Sequence, residues 1–252
     1  EKHASILMGT EQLAPIEQKK SHASLYFWAV LLTGLGLWIL TVFSAPQAGT
    51  VRQLDIFLFL LLNVMAEQSF ILLPQGGAIT ASFAIILASL LLFNAPVAIF
   101  IAVAGAVISM GIIQQRPTRI VLFNAAQYAL TYAVAGLFIQ GLLAVLPTFS
   151  SGEEFTRHMI VGGAATLVYL LINIPLVNGY MRVSEGNVQN FNHFVRHLIH
   201  GREDLIEILQ TLFFYPIAVL VAYSYGQQHN PMIPLVLTLL VFGSLRFIEQ
   251  RR

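Results

Sequence analysis

"RPTRIVLFNAAQYALTYAVAGLFI", residues 116–139, decides the fold class. Two arginines flank a proline, and the apolar run behind them is long enough to cross a bilayer, which takes roughly 20 residues. Asn124, Gln127, Tyr128 and Thr131 interrupt that run at i, i+3, i+4 and i+7. On a helix they share one face. An amide turned toward hydrocarbon leaves its hydrogen bonds unmade, at a cost of about 2–7 kcal/mol. The stripe is therefore expected to face other helices. It either hydrogen-bonds between helices or lines a site for a small polar ligand.

The rest of the chain matches this reading. Of its 252 residues, 57% are hydrophobic and 10% are charged, against about 25% charged in a soluble domain. So few charges cannot cover a water-facing surface. The net charge of +1 gives no basic surface for nucleic acid. The absence of cysteine excludes disulfides, thiolate metal sites and thiol nucleophiles. Residues 1–22 are polar and lack the apolar core of a signal peptide.

Eight segments are candidates for membrane spans: 23–45, 54–73, 77–94, 97–115, 120–146, 159–183, 206–228 and 232–250. The expected fold is an all-α polytopic transmembrane helical bundle of about eight spans. Segment 77–94 opens on "QGGAIT" and is broken by Asn94 and Pro96. With 54–73 it forms two short spans or one span and a re-entrant segment, leaving six to seven full spans. Residues 1–22 are expected as a cytoplasmic N-terminal segment and 23–250 as the transmembrane domain. With both termini inside, Lys2, Lys19, Lys20, Arg116, Arg119, Arg182, Arg196, Arg202, Arg246, Arg251 and Arg252 face the cytoplasm. Arg52 and Arg157 fall outside. That bias favours an even span count. Between 102 and 111, Ala102/Ala106 and Gly105/Ser109 repeat at four-residue spacing, a face for close helix packing.

Glu67, in "NVMAEQSFILLP", is the sharpest single residue. An ionisable group inside a span is a functional-site hypothesis. Asn63, at i−4, shares its face. The alternative is a structural carboxyl close to water at the break after Pro74. Asp55, at the start of the same span, reads as an N-terminal helix charge. Asn173 and Pro175 mark an expected kink in the sixth span, and Pro216 one in the seventh.

"NFNHFVRHLIHGRED", 190–204, places His193, Arg196, His197 and His200 on one helix face. Two histidines at i, i+4 suit zinc, but Arg196 in the stripe would repel a cation. The opposite face is apolar. Residues 190–200 are therefore expected as an amphipathic helix in the membrane interface, with no metal. No phosphate loop, zinc-protease motif, serine elbow or intramembrane lysine is present, so no catalysis and no particular cofactor are indicated.

Four pieces, "MAEQSFILLPQGGAITASFAIILASLLLFNAPVAI", "RPTRIVLFNAAQYAL", "LINIPLV" and "NPMIPLVLTLLVFGSLRF", resemble in order and spacing the N-terminal membrane region of bacterial HD-GYP and GGDEF signalling proteins. The resemblance covers about residues 54–250. It implies a bacterial inner-membrane sensor region whose last helix continues toward a cytoplasmic output domain, with residues 246–252 at the start of the connector. Glu67, Asn124, Gln127 and Asn173 fall on recurring polar positions of that region. The chain is also broadly similar to the substrate-binding membrane components of vitamin transporters. Three functions follow as expectations: a sensory or ligand-binding module, a structural subunit of a larger bioenergetic membrane complex, or a transporter-like binding component. The first two imply a protein partner beside the lipid bilayer.

Overall fold

The structure, a computed structural model, describes residues 13–44, 51–68, 71–72, 78–147, 153–185 and 202–239. Within them the chain is helical apart from one short antiparallel rung. The elements run α1 (Leu13–Ser44), α2 (Gln53–Gln68), β1 (Ile71–Leu72), β2 (Ala78–Ile79), α3 (Ser82–Leu92), α4 (Ala95–Ala106), α5 (Thr118–Val145), α6 (Glu154–Glu185) and α7 (Arg202–Gln228). An eighth helix, α8, occupies 232–239. A π-helical turn, Val107–Ile113, prolongs α4.

Among the described residues, five helices are long and apolar enough to cross a membrane: His22–Phe43, Ala95–Ile113, Thr118–Val145, Glu154–Val183 and Leu205–Gln228. The chain is a multi-pass membrane protein. The expected count of about eight is not met among the described residues. Segments 54–73 and 77–94 instead give a 16-residue α2 and an 11-residue α3. At about 1.5 Å per residue, α3 covers only about half a bilayer core. Nine of its eleven residues, Ser82 to Leu90, are buried. Hydropathy reads burial in protein and burial in lipid alike, and α3 is of the first kind. Segment 232–250 is described only to residue 239, and the amphipathic stretch 190–200 lies outside the described residues.

Short sequence signals place the breaks. Asn94 caps α4 by accepting a hydrogen bond from the Val97 amide at 3.0 Å, with Pro96 in the first turn. Gln115 takes a left-handed φ of 52°, which helps reverse the chain between the π turn and α5. Both α6 and α7 run through their internal prolines, Pro175 and Pro216.

The core joins α2, α3, α4, α5, α6 and α7. On the periphery, α1 packs on α5, where a methyl group at Gly34 would collide with the Ala126 carbonyl. Leu25, Trp28, Leu32, Ile39 and Phe43 of α1 are exposed, as are Leu171 of α6 and Phe213 of α7. In a bilayer this apolar surface is solvated by acyl chains. The small residues Ala102, Gly105, Ala106 and Ser109 are all buried. Gly105 packs on Asn63 of α2, so this part of the face serves internal packing.

Candidate functional site

The C-terminal end of α2 builds a polar centre inside the bundle. Glu67 is 3% exposed and accepts a hydrogen bond from the Tyr128 hydroxyl of α5 at 3.1 Å. The Ser82 hydroxyl, at the start of α3, adjoins the same carboxyl. Ser82 and Thr80 share a hydrogen bond of 2.7 Å, and the Thr80 carbonyl accepts from Gln210 of α7 at 2.9 Å. Three segments of the chain thus meet at one carboxyl, and α7 joins them through Thr80.

The end of a helix leaves carbonyls without partners. Gln114, just past the π turn, donates to the Glu67 carbonyl at 3.4 Å. Gln68 donates to the Ser109 hydroxyl inside the π turn at 2.7 Å. Asn63 donates to the Ile101 carbonyl at 3.1 Å. Such π turns often mark functional sites in helices, and this one receives the polar end of α2.

A row of aromatic rings extends the centre. Tyr128 and Tyr132 lie 6.3 Å apart, Tyr132 and Tyr169 5.5 Å, and Tyr169 and Phe83 4.7 Å, between ring centroids. One turn beyond Tyr169, Asn173 donates to the Glu207 carboxylate of α7. Three acceptors are left over. Asn63 Oδ1, Thr131 Oγ1 and Asn173 Oδ1 are buried and have no hydrogen-bond partner among the described residues.

The stripe Asn124, Gln127, Tyr128 and Thr131 divides. Tyr128 joins Glu67, while Gln127 and Thr131 are buried at 2% and 0% exposure. Asn124 does not enter the centre. It is half-buried and its amide donates to the Ile120 carbonyl one turn back at 2.9 Å. That local bond satisfies its donor without a second helix. Asn173 meets Glu207 and not Glu67. His193, Arg196, His197 and His200 lie outside the described residues. Sequence reading missed Tyr132, Tyr169, Ser82 and Glu207. The signal for two of them was the i, i+4 spacing of Tyr128/Tyr132 and of Tyr169/Asn173.

A second polar cluster lies at the other end of α2, twelve residues or about 18 Å away along the helix. Asp55 accepts from the Tyr225 hydroxyl of α7 at 2.7 Å and pairs with Arg52 at 3.2 Å. Beside it Gln227 donates to the Glu154 carboxylate at 2.6 Å. The ends separate the basic residues as well. Arg52 and Arg157 line cavities at the Asp55 end, whereas Arg119, at the start of α5, lies over the Phe27 ring of α1. No group of three potential metal ligands occurs among the described residues.

Compared with protein-family models, curated proteins and solved structures, the chain gives no match.

Proposed function

We propose that this chain is a non-catalytic sensory module of the bacterial inner membrane. It binds a small ligand at the Glu67 centre and passes the change to a cytoplasmic partner or output domain, with both termini in the cytoplasm. One observation carries the reading: Glu67 is buried, has no counter-charge among the described residues, and sits in a centre whose amide oxygens Asn63 Oδ1 and Asn173 Oδ1 lack donors. Buried acceptors without donors are expensive. A ligand bearing N–H groups or a positive charge supplies what is missing, and neighbouring tyrosine faces attract cations.

The path outward is α7. It meets the centre through Glu207 and Gln210, and after His229 the chain enters α8. In α8, Leu235 and Leu237 pack on the core. The resemblance to signalling-protein membrane regions supports the same direction of output.

Native mass spectrometry of gently solubilised protein tests the proposal. A small molecule retained by the wild type and lost from Glu67→Gln and Asn173→Leu is the expected result. Bare wild-type protein, with Glu67→Gln melting below the wild type, would show that the centre is structural packing. Co-purifying membrane subunits without a small molecule would favour the accessory-subunit reading.

A further inference from the structure

The Asp55 end of the bundle holds two adjoining cavities of about 330 and 620 Å³, which share Leu92, Phe93 and Gly226 in their walls. Small-molecule sites span about 300–1,000 Å³. The space has a structural origin. Helix α3 ends at Leu92, and α4 starts again at Ala95 under the Asn94 cap. That break walls the smaller cavity, together with Leu90, Ile139 and Val161.

The polar groups at this mouth sort into satisfied and open ones. Arg52, Asp55 and Tyr225 satisfy one another. His158 Nδ1 lies 2.8 Å from the Glu154 carbonyl, which can only accept, so that nitrogen carries the proton. Glu154 holds a neutral amide, Gln227, on one carboxylate oxygen. Arg157 makes no ion pair or hydrogen bond among the described residues. Among the described residues, Glu154 and Arg157 are thus one anion and one cation, neither of them in an ion pair, lining the same cavity. At i, i+3 on α6 they share a face, with about 5–6 Å between Cβ atoms. The Tyr223 hydroxyl and the Asn94 amide nitrogen add donors, because the cap already uses the Asn94 oxygen.

We propose that this mouth binds a zwitterion with an apolar body: a primary ammonium at Glu154, an anionic group at Arg157, and a hydrocarbon portion on Leu90, Ile139 and Val161. A free apolar α-amino acid has this chemistry. So does the headgroup of phosphatidylethanolamine with its acyl chains. The site stands apart from the Glu67 centre and does not depend on the function proposed for it.

The test uses the full chain in an uncharged detergent, with L-leucine as the free probe. Leucine raises the melting midpoint. The amine lacking its carboxyl (isoamylamine) and the acid lacking its amine (4-methylpentanoate) leave it unchanged. Arg157→Gln and Glu154→Gln each weaken leucine binding about tenfold or more, the scale of one charge-assisted contact. Both positions lie at the rim, where a glutamine is tolerated. A third variant acts through space: a Cβ at Gly226 meets only Leu92, at 3.5 Å, so Gly226→Leu grows into the shared wall and blocks binding. If leucine is inert but native mass spectrometry shows phosphatidylethanolamine retained by the wild type and lost from both glutamine variants, the ligand comes from the bilayer and the assignment stands. Binding of neither probe overturns it. So does equal binding of the single-charge analogues, or glutamine variants that bind like the wild type.

Discussion

Helix α2 carries an acid near each end, and each acid accepts a hydrogen bond from a tyrosine of another helix. Asp55 meets Tyr225 at 2.7 Å and Glu67 meets Tyr128 at 3.1 Å. The difference lies in the third partner. Asp55 is buried too, but it has a cation in Arg52, whose side chain is 58% exposed, so water reaches the arginine end of the pair. Glu67 has hydroxyls, aromatic rings and amides, and no cation among the described residues. The same carboxyl–phenol contact is thus a tie at one end and the middle of an incomplete network at the other. A tie should lose little when cut. A buried network should lose much, because every removed group strands another.

The largest effect is expected at Glu67. Glu67→Ala removes a buried side chain and strands the Tyr128 hydroxyl, and it should lower the unfolding free energy by about 3 kcal/mol. Reversible unfolding in mixed micelles measures it. A loss under about 1 kcal/mol would mean that the centre is loosely packed or reached by water.

Next comes the α4 side of the same centre. A methyl group at Gly105 would collide with the Asn63 amide, which holds the Ile101 carbonyl. Gly105→Ala should therefore destabilise by about 2 kcal/mol through overpacking and a broken bond. Combining it with Asn63→Ala should recover part of the loss, because the collision is then relieved. A fully additive double variant would show that the two residues do not meet.

At the other end, Asp55→Ala should lower the unfolding free energy by about 1 kcal/mol, mainly through the orphaned Tyr225 hydroxyl. The exposed Arg52 returns to water, and surface pairs of this kind contribute little. A loss as large as that of Glu67→Ala would erase the contrast between the two ends.

These two regions were not equally legible in the sequence. Glu67 and Tyr128 announced themselves, because an acid and a polar stripe inside apolar runs have few reasons to exist. Asn94 with Pro96 was visible as a break, and it became the α4 cap. The Asp55 end was legible only as a helix-start charge. Its partner Tyr225 is 170 positions away, and nothing local joins them. Glu207 sits at the start of an apolar run, and nothing local joins it to Asn173, 34 positions away. For the half-length α3, the sequence left a short span and a re-entrant segment open for a deeper reason. An apolar run reports that water is excluded and is silent on whether lipid or protein excludes it.

The smallest effect is expected at Asn124, the residue that opened the argument. A polar side chain in a membrane helix was read as needing a partner on another helix. The structure gives it one on its own helix, the Ile120 carbonyl one turn back. Such a bond forms in the isolated helix and in the folded bundle alike, so it contributes almost nothing to the difference between them. Asn124 is also half-buried, so a leucine there finds room. Asn124→Leu should change the unfolding free energy by no more than about 0.5 kcal/mol, as for a surface substitution. Gln127, three residues on and 2% exposed, provides the internal control. Gln127→Leu should cost more, because its amide lies inside the bundle. Equal losses for the two variants, measured side by side in the same micelles, would put Asn124 back into the polar centre and undo the division of the stripe.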